Sequence, residues 1–288
     1  MSTLAWVLTS SGVTAAGFIL YIMLSRGRGT PFLKIDLASL PAIQDALPML
    51  AGLTQSSVHE CNSVRVLQNG ALFPAMLEYI AAAKHCVHLE TFVWTAGQVE
   101  KQFVDALVAK AREGRSVCVL LDALGASGAS AQALERLEAG GVKLARYCKP
   151  HWWNWRRFNN RTHRKLLIVD GRIGYTFGHG VADQWLGDGD SSEHWRDTGV
   201  RIEGPVVHTL QSVFAQNWVE ETHRVLGTPA CFPELEPRGN VPAHVVSSAS
   251  GDAVSSVAML YTMAIATARR EVLIQNPYFA PNDGVVEL

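Results

Sequence analysis

His163, Lys165 and Asp170 place an imidazole, an ammonium and a carboxylate in one short run, Asn159-Asn160-Arg161-Thr162-His163-Arg164-Lys165-Leu166-Leu167-Ile168-Val169-Asp170-Gly171. The run is rich in branched apolar residues, and the period of two of a strand would put His163, Lys165, Leu167 and Val169 on one face. Arg164, Leu166 and Ile168 would take the other. Two residues apart on one face, the Cα atoms of His163 and Lys165 would lie roughly 6–7 Å apart, close enough for both side chains to reach one tetrahedral anion. Asp170-Gly171 reads as the two-residue turn of a hairpin, with Arg172 to Phe177 as the returning strand.

The elements that must hold this run are legible on both sides of it. Val64 to Gln68 reads as a short strand and Asn69-Gly70 as a turn. Leu72, Met76, Ile80 and Ala83 recur at helical spacing, predicting a helix over 72–84. Val87 to Trp94 reads as a strand with Val87, Leu89 and Thr91 on one face and His88, Glu90 and Phe92 on the other, so that Glu90 is a candidate site carboxylate. Phe103, Leu107 and Ala111 define a further helix, closed by Gly114. Ser116 to Asp122 is nearly continuous in apolar residues, as in a strand buried on both faces of a mainly parallel sheet. A helix over 131–139, a strand over 142–147, a strand over 197–203 and a helix opening at Pro205 complete an α/β layered pattern.

Composition bounds the chemistry. The 288 residues hold 48% hydrophobic and 18% charged residues and a formal net charge of −1, which argues against a general nucleic-acid coat. Attraction to anions must therefore be local. From Lys149 to Lys165 there are six cations and no acid, interleaved with Trp152, Trp153, Trp155 and Phe158. This mixture suits the headgroup level of a bilayer, stacking on single-stranded nucleic acid, or packing on the domain edge; lipid contact is the preferred reading. The five cysteines, Cys61, Cys86, Cys118, Cys148 and Cys231, are scattered without a Cys-x-x-Cys pair. They read as reduced core thiols, with no metal site and a reducing, cytoplasm-facing compartment. Leu4 to Leu24 contains no charged residue and would span about 31 Å as a helix, enough for a bilayer core. Arg26, Arg28 and Lys34 follow it, so a transmembrane anchor with the catalytic domain in the cytoplasm is expected, in the cell (inner) membrane.

The pattern also repeats. At an offset of 185, Ile80 to Glu90 aligns with Ile265 to Gln275, with Ile, two Ala and Val identical. A helix running into a strand is thus expected twice. The resulting organisation is an anchor at 4–24, a linker at 25–61, a first repeat at 62–226, a Pro-rich linker at 227–242 and the start of a second repeat at 243–288.

The pattern His163-x-Lys165-x-x-x-x-Asp170 resembles the signature of the phospholipase D superfamily, and its surroundings are similar to bacterial cardiolipin synthases. Asn-x-Arg-x-His-Arg-Lys precedes it and Asp-Gly-Arg-Ile-Gly follows. Ala182-Asp183, Trp195-Arg196-Asp197-Thr198, Glu203-Gly204-Pro205 and Asn276-Pro277-Tyr278-Phe279-Ala280-Pro281-Asn282 match further on. The resemblance implies a mixed sheet flanked by helices and phosphodiester exchange through a phosphohistidine. It implies His163 as nucleophile or as the acid for the leaving alcohol, Lys165 as the holder of the non-bridging oxygens, and Asp170 as an orienting group. No cofactor is implied. The implied reaction is cardiolipin synthesis from phosphatidylglycerol at a membrane; phospholipase, phosphodiesterase or nuclease activity, or phosphate binding alone, are the alternatives. Glu90, Arg161, Gly178, His179, Gly180 and the three tryptophans are the candidate substrate contacts.

Two departures stand out. The superfamily's Gly-Gly-x-Asn after the motif is here Phe177-Gly178-His179-Gly180, so Gly180 stands where Asn is expected. The superfamily also builds one site from two motifs, and the second His-x-Lys would fall near position 348 by the repeat offset. A second repeat in cis, in a longer chain, is the expected partner, and a homodimer is the less favoured one.

Overall fold

The computed structural model describes residues 3–25, 35–43, 45–149, 161–226, 228–248, 255–276 and 278; within the first helix, side chains are described at 6 and 11–22. In chain order the elements are α1 (Thr3–Ser25), α2 (Leu47–Leu53), β1 (His59–Gln68), α3 (Leu72–Ala82), β2 (Cys86–Thr91), α4 (Gln98–Arg112), β3 (Ser116–Asp122), α5 (Ala131–Ala139), β4 (Lys143–Tyr147), β5 (Leu166–Val169), β6 (Ile173–Phe177), β7 (Thr198–Glu203), α6 (Val207–Thr222), β8 (Val241–Ala243) and α7 (Ser256–Ala266). They fall into two compact units, Gln55–Ser250 and the pair of segments Met1–Thr54 and Gly251–Leu288.

The larger unit is built on a mixed eight-stranded sheet of order β4-β3-β2-β5-β6-β7-β1-β8. β2, β3 and β4 run parallel, whereas β5 to β8 and β1 join antiparallel. Helices cover both faces, which explains why β3 is apolar at almost every position. One face buries Val87, Leu89, Val119, Leu167 and Tyr175 with α3, α4 and α5. The other buries Cys118, Leu120, Leu166 and Ile168 with α6. Each fully buried Leu or Ile here is worth about 1.5–3 kcal/mol of transfer free energy. α4 begins where the Asp183 carboxylate accepts from the Gln98 and Val99 N–H groups at 2.9 and 2.8 Å, an acid at the positive end of a helix.

Several sequence expectations change. β5 is only four residues long, and residues 161–165 lead into it outside any strand. The hairpin loop is three residues rather than two, because Val169 pairs with Ile173. Asp170 and Gly171 both adopt positive φ, 53° and 60°. A Cβ on Gly171 would meet the Cys231 carbonyl, so glycine is required there twice over. The stretch read as a linker at 227–242 belongs to the large unit: Cys231 is buried, and β8 adds an edge strand against β1.

In the smaller unit, Ala46, Leu50 and Met263 bring α2 and α7 together, and Arg269 Nη2 donates to the Leu40 carbonyl at 2.6 Å. The repeated helix forms as α7, but no strand follows it among the described residues: Val272, Leu273 and Ile274 are exposed. β2, its counterpart, is held between β3 and β5; a strand without neighbours leaves its ladder groups to water. Thr3–Ser25 is helical over 23 residues. Among the described residues no helix is long and apolar enough to cross a membrane.

Candidate active site

Parallel strands gather functional groups beyond their carboxyl ends, and here the groups converge at that edge. β2 delivers Glu90 and, just past its end, Phe92; β3 ends in Asp122. β5 runs the opposite way, so its lead-in brings Thr162, His163 and Lys165 to the same edge. The end of β6 supplies Gly178 and His179, and the start of β7 supplies Asp197.

Thr162 is the residue that fixes the lead-in. Its N–H donates to Asp122 Oδ2 at 3.1 Å, and its hydroxyl donates to Glu90 Oε1 in a very short contact. Asn217 on α6 donates to the same Glu90 oxygen at 2.7 Å and to the Thr162 hydroxyl at 3.2 Å. Two buried carboxylates therefore clamp the residue before His163. Asp122 is itself held by the Leu124 and Gly125 N–H groups, each at 2.9 Å. Arg164, pointing to the opposite side as the alternation requires, donates to the Val213 carbonyl at 2.9 Å and to Gln216 at 3.1 Å on α6.

His163 is exposed, whereas Lys165 is buried. Lys165 Nζ lies 3.3 Å from His163 Nδ1 and donates to the His163 carbonyl at 3.0 Å. Phe92 floors the pair, its ring 5.0 Å from the imidazole and 5.7 Å from the ammonium. Partial burial and the Lys165 charge hold the His163 pKa below its usual value, against an opposing pull from Asp122. Burial brings Lys165 down to about 8, with Asp197 and Glu90 opposing it. Burial raises Glu90, opposed by its bonds to Thr162 and Asn217 and by Arg164 and Lys165. Glu90 Oε2 has no hydrogen-bond partner among the described residues.

The edge thus holds a free-base imidazole beside a cation at neutral pH. Activity should rise with pH as His163 loses its proton and fall as Lys165 loses its own near 8, giving a bell-shaped kcat/KM profile. Stability should follow a different course. The folded state depresses the Lys165 pKa from 10.5, so between about pH 8 and 10.5 the unfolded chain binds more protons and this residue's contribution becomes more stabilising as pH rises. Parallel pH series of turnover and of urea midpoints would check both signs.

The other predicted residues fall into place unevenly. Asp170 is at the opposite edge: its carboxylate accepts from the backbone N–H groups of Lys84, His85 and Cys86 at 2.8, 2.7 and 2.9 Å. The structure gives it no described contact with His163 or Lys165, so the expected imidazole-orienting group is a clamp on the turn before β2. His179 is buried, its Nε2–H donating to the Asn69 carbonyl at 2.8 Å, with Phe73, Phe177 and Trp185 around the ring. Burial lowers its pKa, with Asp197 opposing. Arg161 reaches the Cys148 carbonyl at 3.5 Å. Trp152, Trp153 and Trp155 lie outside the described residues. Asp122, Thr162, Asn217 and Asp197 were not among the candidates; an acid ending a buried parallel strand, as Asp122 does, was the available signal.

Residues 76–218 match the family described as cardiolipin synthase, PLD-like domain. The major cardiolipin synthase ClsA of Bacillus subtilis is 32% identical over 98% of this chain and 65% of its own length. Cardiolipin synthase A of Pseudomonas putida is 34% identical over 78% of this chain and 47% of its own length. The chain belongs to the phospholipase D superfamily and is cardiolipin synthase-like. It spans about half to two thirds of the length of these relatives. The solved phosphatidylserine synthase of Haemophilus influenzae shares the fold at a TM-score of 0.53, with 12% identity, over 78% of this chain and 58% of that one.

Within the superfamily pattern, the unusual Phe177-Gly178-His179-Gly180 has a steric account. A Cβ on Gly180 would come within 2.6 Å of Val93 Cβ and 2.8 Å of Trp185 Cζ3, so an Asn side chain has no room at this position. A Cβ on Gly178 would collide with the Asp197 carboxylate, whose Oδ2 accepts from Trp185 Nε1 at 3.0 Å. Gly178→Ala is expected to cost about 1–3 kcal/mol by displacing Asp197. It should also move the falling limb of the pH profile to lower pH, because Asp197 supports the Lys165 charge. Chemical denaturation and the pH profile of the variant would show both.

Proposed function

We propose that this protein is a phosphatidyltransferase that makes cardiolipin from two phosphatidylglycerol molecules. The observation that carries the reading is the His163–Lys165 pair, exposed imidazole against buried ammonium at 3.3 Å, on the open edge of the sheet. Its lowered pKa makes His163 a free base at neutral pH, the form that attacks phosphorus. Lys165 turns its N–H groups from Nδ1 to the non-bridging oxygens, where negative charge grows in the transition state. Imidazole nitrogen and phosphorus bond, the bond from phosphorus to the glycerol oxygen breaks, and glycerol leaves with a proton. The hydroxyl of a second phosphatidylglycerol then bonds to phosphorus as the phosphorus–imidazole bond breaks, its proton passing to the group that protonated the glycerol.

The proton for the leaving oxygen comes from a second imidazole. This chain carries one His-x-Lys, and we assign the second to a further motif in cis, in keeping with the greater length of the relatives, ahead of a second copy of the chain. On length and composition alone, the uncharged stretch 4–24 is assigned to an anchor in the cell membrane. The cations that follow it support a cytoplasmic catalytic domain. Trp152, Trp153 and Trp155 with Arg156 and Arg157 are suited to headgroups at that surface.

Chromatography of the lipid products from labelled phosphatidylglycerol tests the acceptor. Cardiolipin with equimolar free glycerol is the expected outcome; phosphatidic acid as the sole product would make the protein a hydrolase.

A further inference from the structure

A second cluster of reactive side chains sits at the end of β2 remote from His163. Cys86, His88 and Cys231 are all buried, and their sulfur and nitrogen ligand atoms all lie within 4.8 Å of one another. Cys231 Sγ is 3.9 Å from His88 Nε2, close to the sulfur–nitrogen separation around a single tetrahedral ion with bonds of about 2.3 and 2.0 Å. Nothing in the phosphatidyl-transfer site uses these groups.

We propose that Cys86, Cys231 and His88 Nε2 form a structural zinc site that ties the segment around Cys231 to the sheet. Two observations beyond proximity support it. The first is the set of groups that orient the ligands. The Gln211 amide lies against His88 Nδ1, with its oxygen at 3.0 Å and its nitrogen at 2.8 Å. With the oxygen accepting, Nδ1 keeps the proton and Nε2 presents its lone pair to the sulfurs. Phe214 stacks on the same ring at 5.0 Å and 2°. Thr228 Oγ1 lies 3.0 Å from Cys231 Sγ, and the Asp170 carboxylate holds the Cys86 N–H at 2.9 Å.

The second is charge. Two thiolates and a neutral imidazole around a divalent ion sum to zero, which a dry interior tolerates; a monovalent copper ion would leave a net negative charge there.

The site's place in the fold suggests its purpose. Cys231 follows the long α6, and its carbonyl already packs on the Gly171 turn. A zinc bridge would fix this segment to β2 without touching the catalytic edge.

The test uses the whole chain in detergent. After exposure to zinc and desalting, one zinc per chain is expected by elemental analysis. Cobalt loading should give a thiolate charge-transfer band in the near ultraviolet. Cys231→Ser should lose both signals. Thr228→Val, an exposed and conservative change, should remain folded and bind zinc roughly 10–100-fold more weakly. Absence of stoichiometric zinc and of the cobalt band in folded protein would overturn the proposal. So would equal binding by Cys231→Ser, or an unchanged affinity in Thr228→Val together with a cobalt band lacking thiolate character.

Discussion

Replacing His163 with alanine should lower phosphatidyl transfer by about 10⁴-fold or more, as removal of a nucleophile does in other enzymes with covalent intermediates. The fold should be unaffected. His163 is exposed, and its one described side-chain hydrogen-bond partner is Lys165. With the imidazole gone, Lys165 keeps its bond to the backbone carbonyl of residue 163, so binding of lipid phosphate should persist while turnover stops. Single-turnover kinetics beside a thermal melt would separate these outcomes. A melt shifted by many degrees, with turnover falling only in proportion to unfolded protein, would make His163 a structural residue instead.

Asp170→Ala should produce the reverse pattern. Three backbone N–H groups at 84–86 lose a charged acceptor, and a residue at φ 53° loses a side chain that tolerates the left-handed region. The expected cost is about 2–4 kcal/mol, read as a lower denaturant midpoint at unchanged slope. Asp170→Asn, which keeps the backbone preference and part of the bonding, should recover about half of it. The kcat of the folded fraction should stay within roughly threefold of the parent, because a change this far from the pair leaves the imidazole, ammonium and Phe92 in place. A collapse of kcat with an unchanged midpoint would return Asp170 to the chemistry.

These two residues show what the sequence made legible. Alternation along 163–169 correctly separated Arg164, which reaches α6, from Leu167 and Val169, which face α3 and α4. The apolar run at 116–122 correctly implied a strand buried on both faces. Spacing alone, however, treats His163, Lys165 and Asp170 as one unit. A strand has two ends, and the four residues of β5 carry Asp170 away from the edge where the other two lie. Asp122, Thr162 and Asn217 were hidden for a related reason. They converge through strand order and the return of α6 across the sheet, contacts 40 to 127 positions apart that no local pattern records. The prolines of 227–242 read as a linker while Cys231 within it read as a core thiol; the burial of Cys231 shows that the second reading decides where the segment lies. The repeat at 265–275 shows that a similar pattern still requires partners: Val272 to Ile274 follow a helix as β2 does, but have no strand paired beside them among the described residues.

The most direct test of the account is to find where the phosphatidyl group is held during turnover. Full-length protein incubated with phosphatidylglycerol should be quenched at alkaline pH, where phosphohistidine survives, and mapped by mass spectrometry. A phosphatidyl adduct on His163, absent in His163→Ala, is the expected result. Continued cardiolipin formation with no adduct on His163, or with the adduct on another residue, would contradict it.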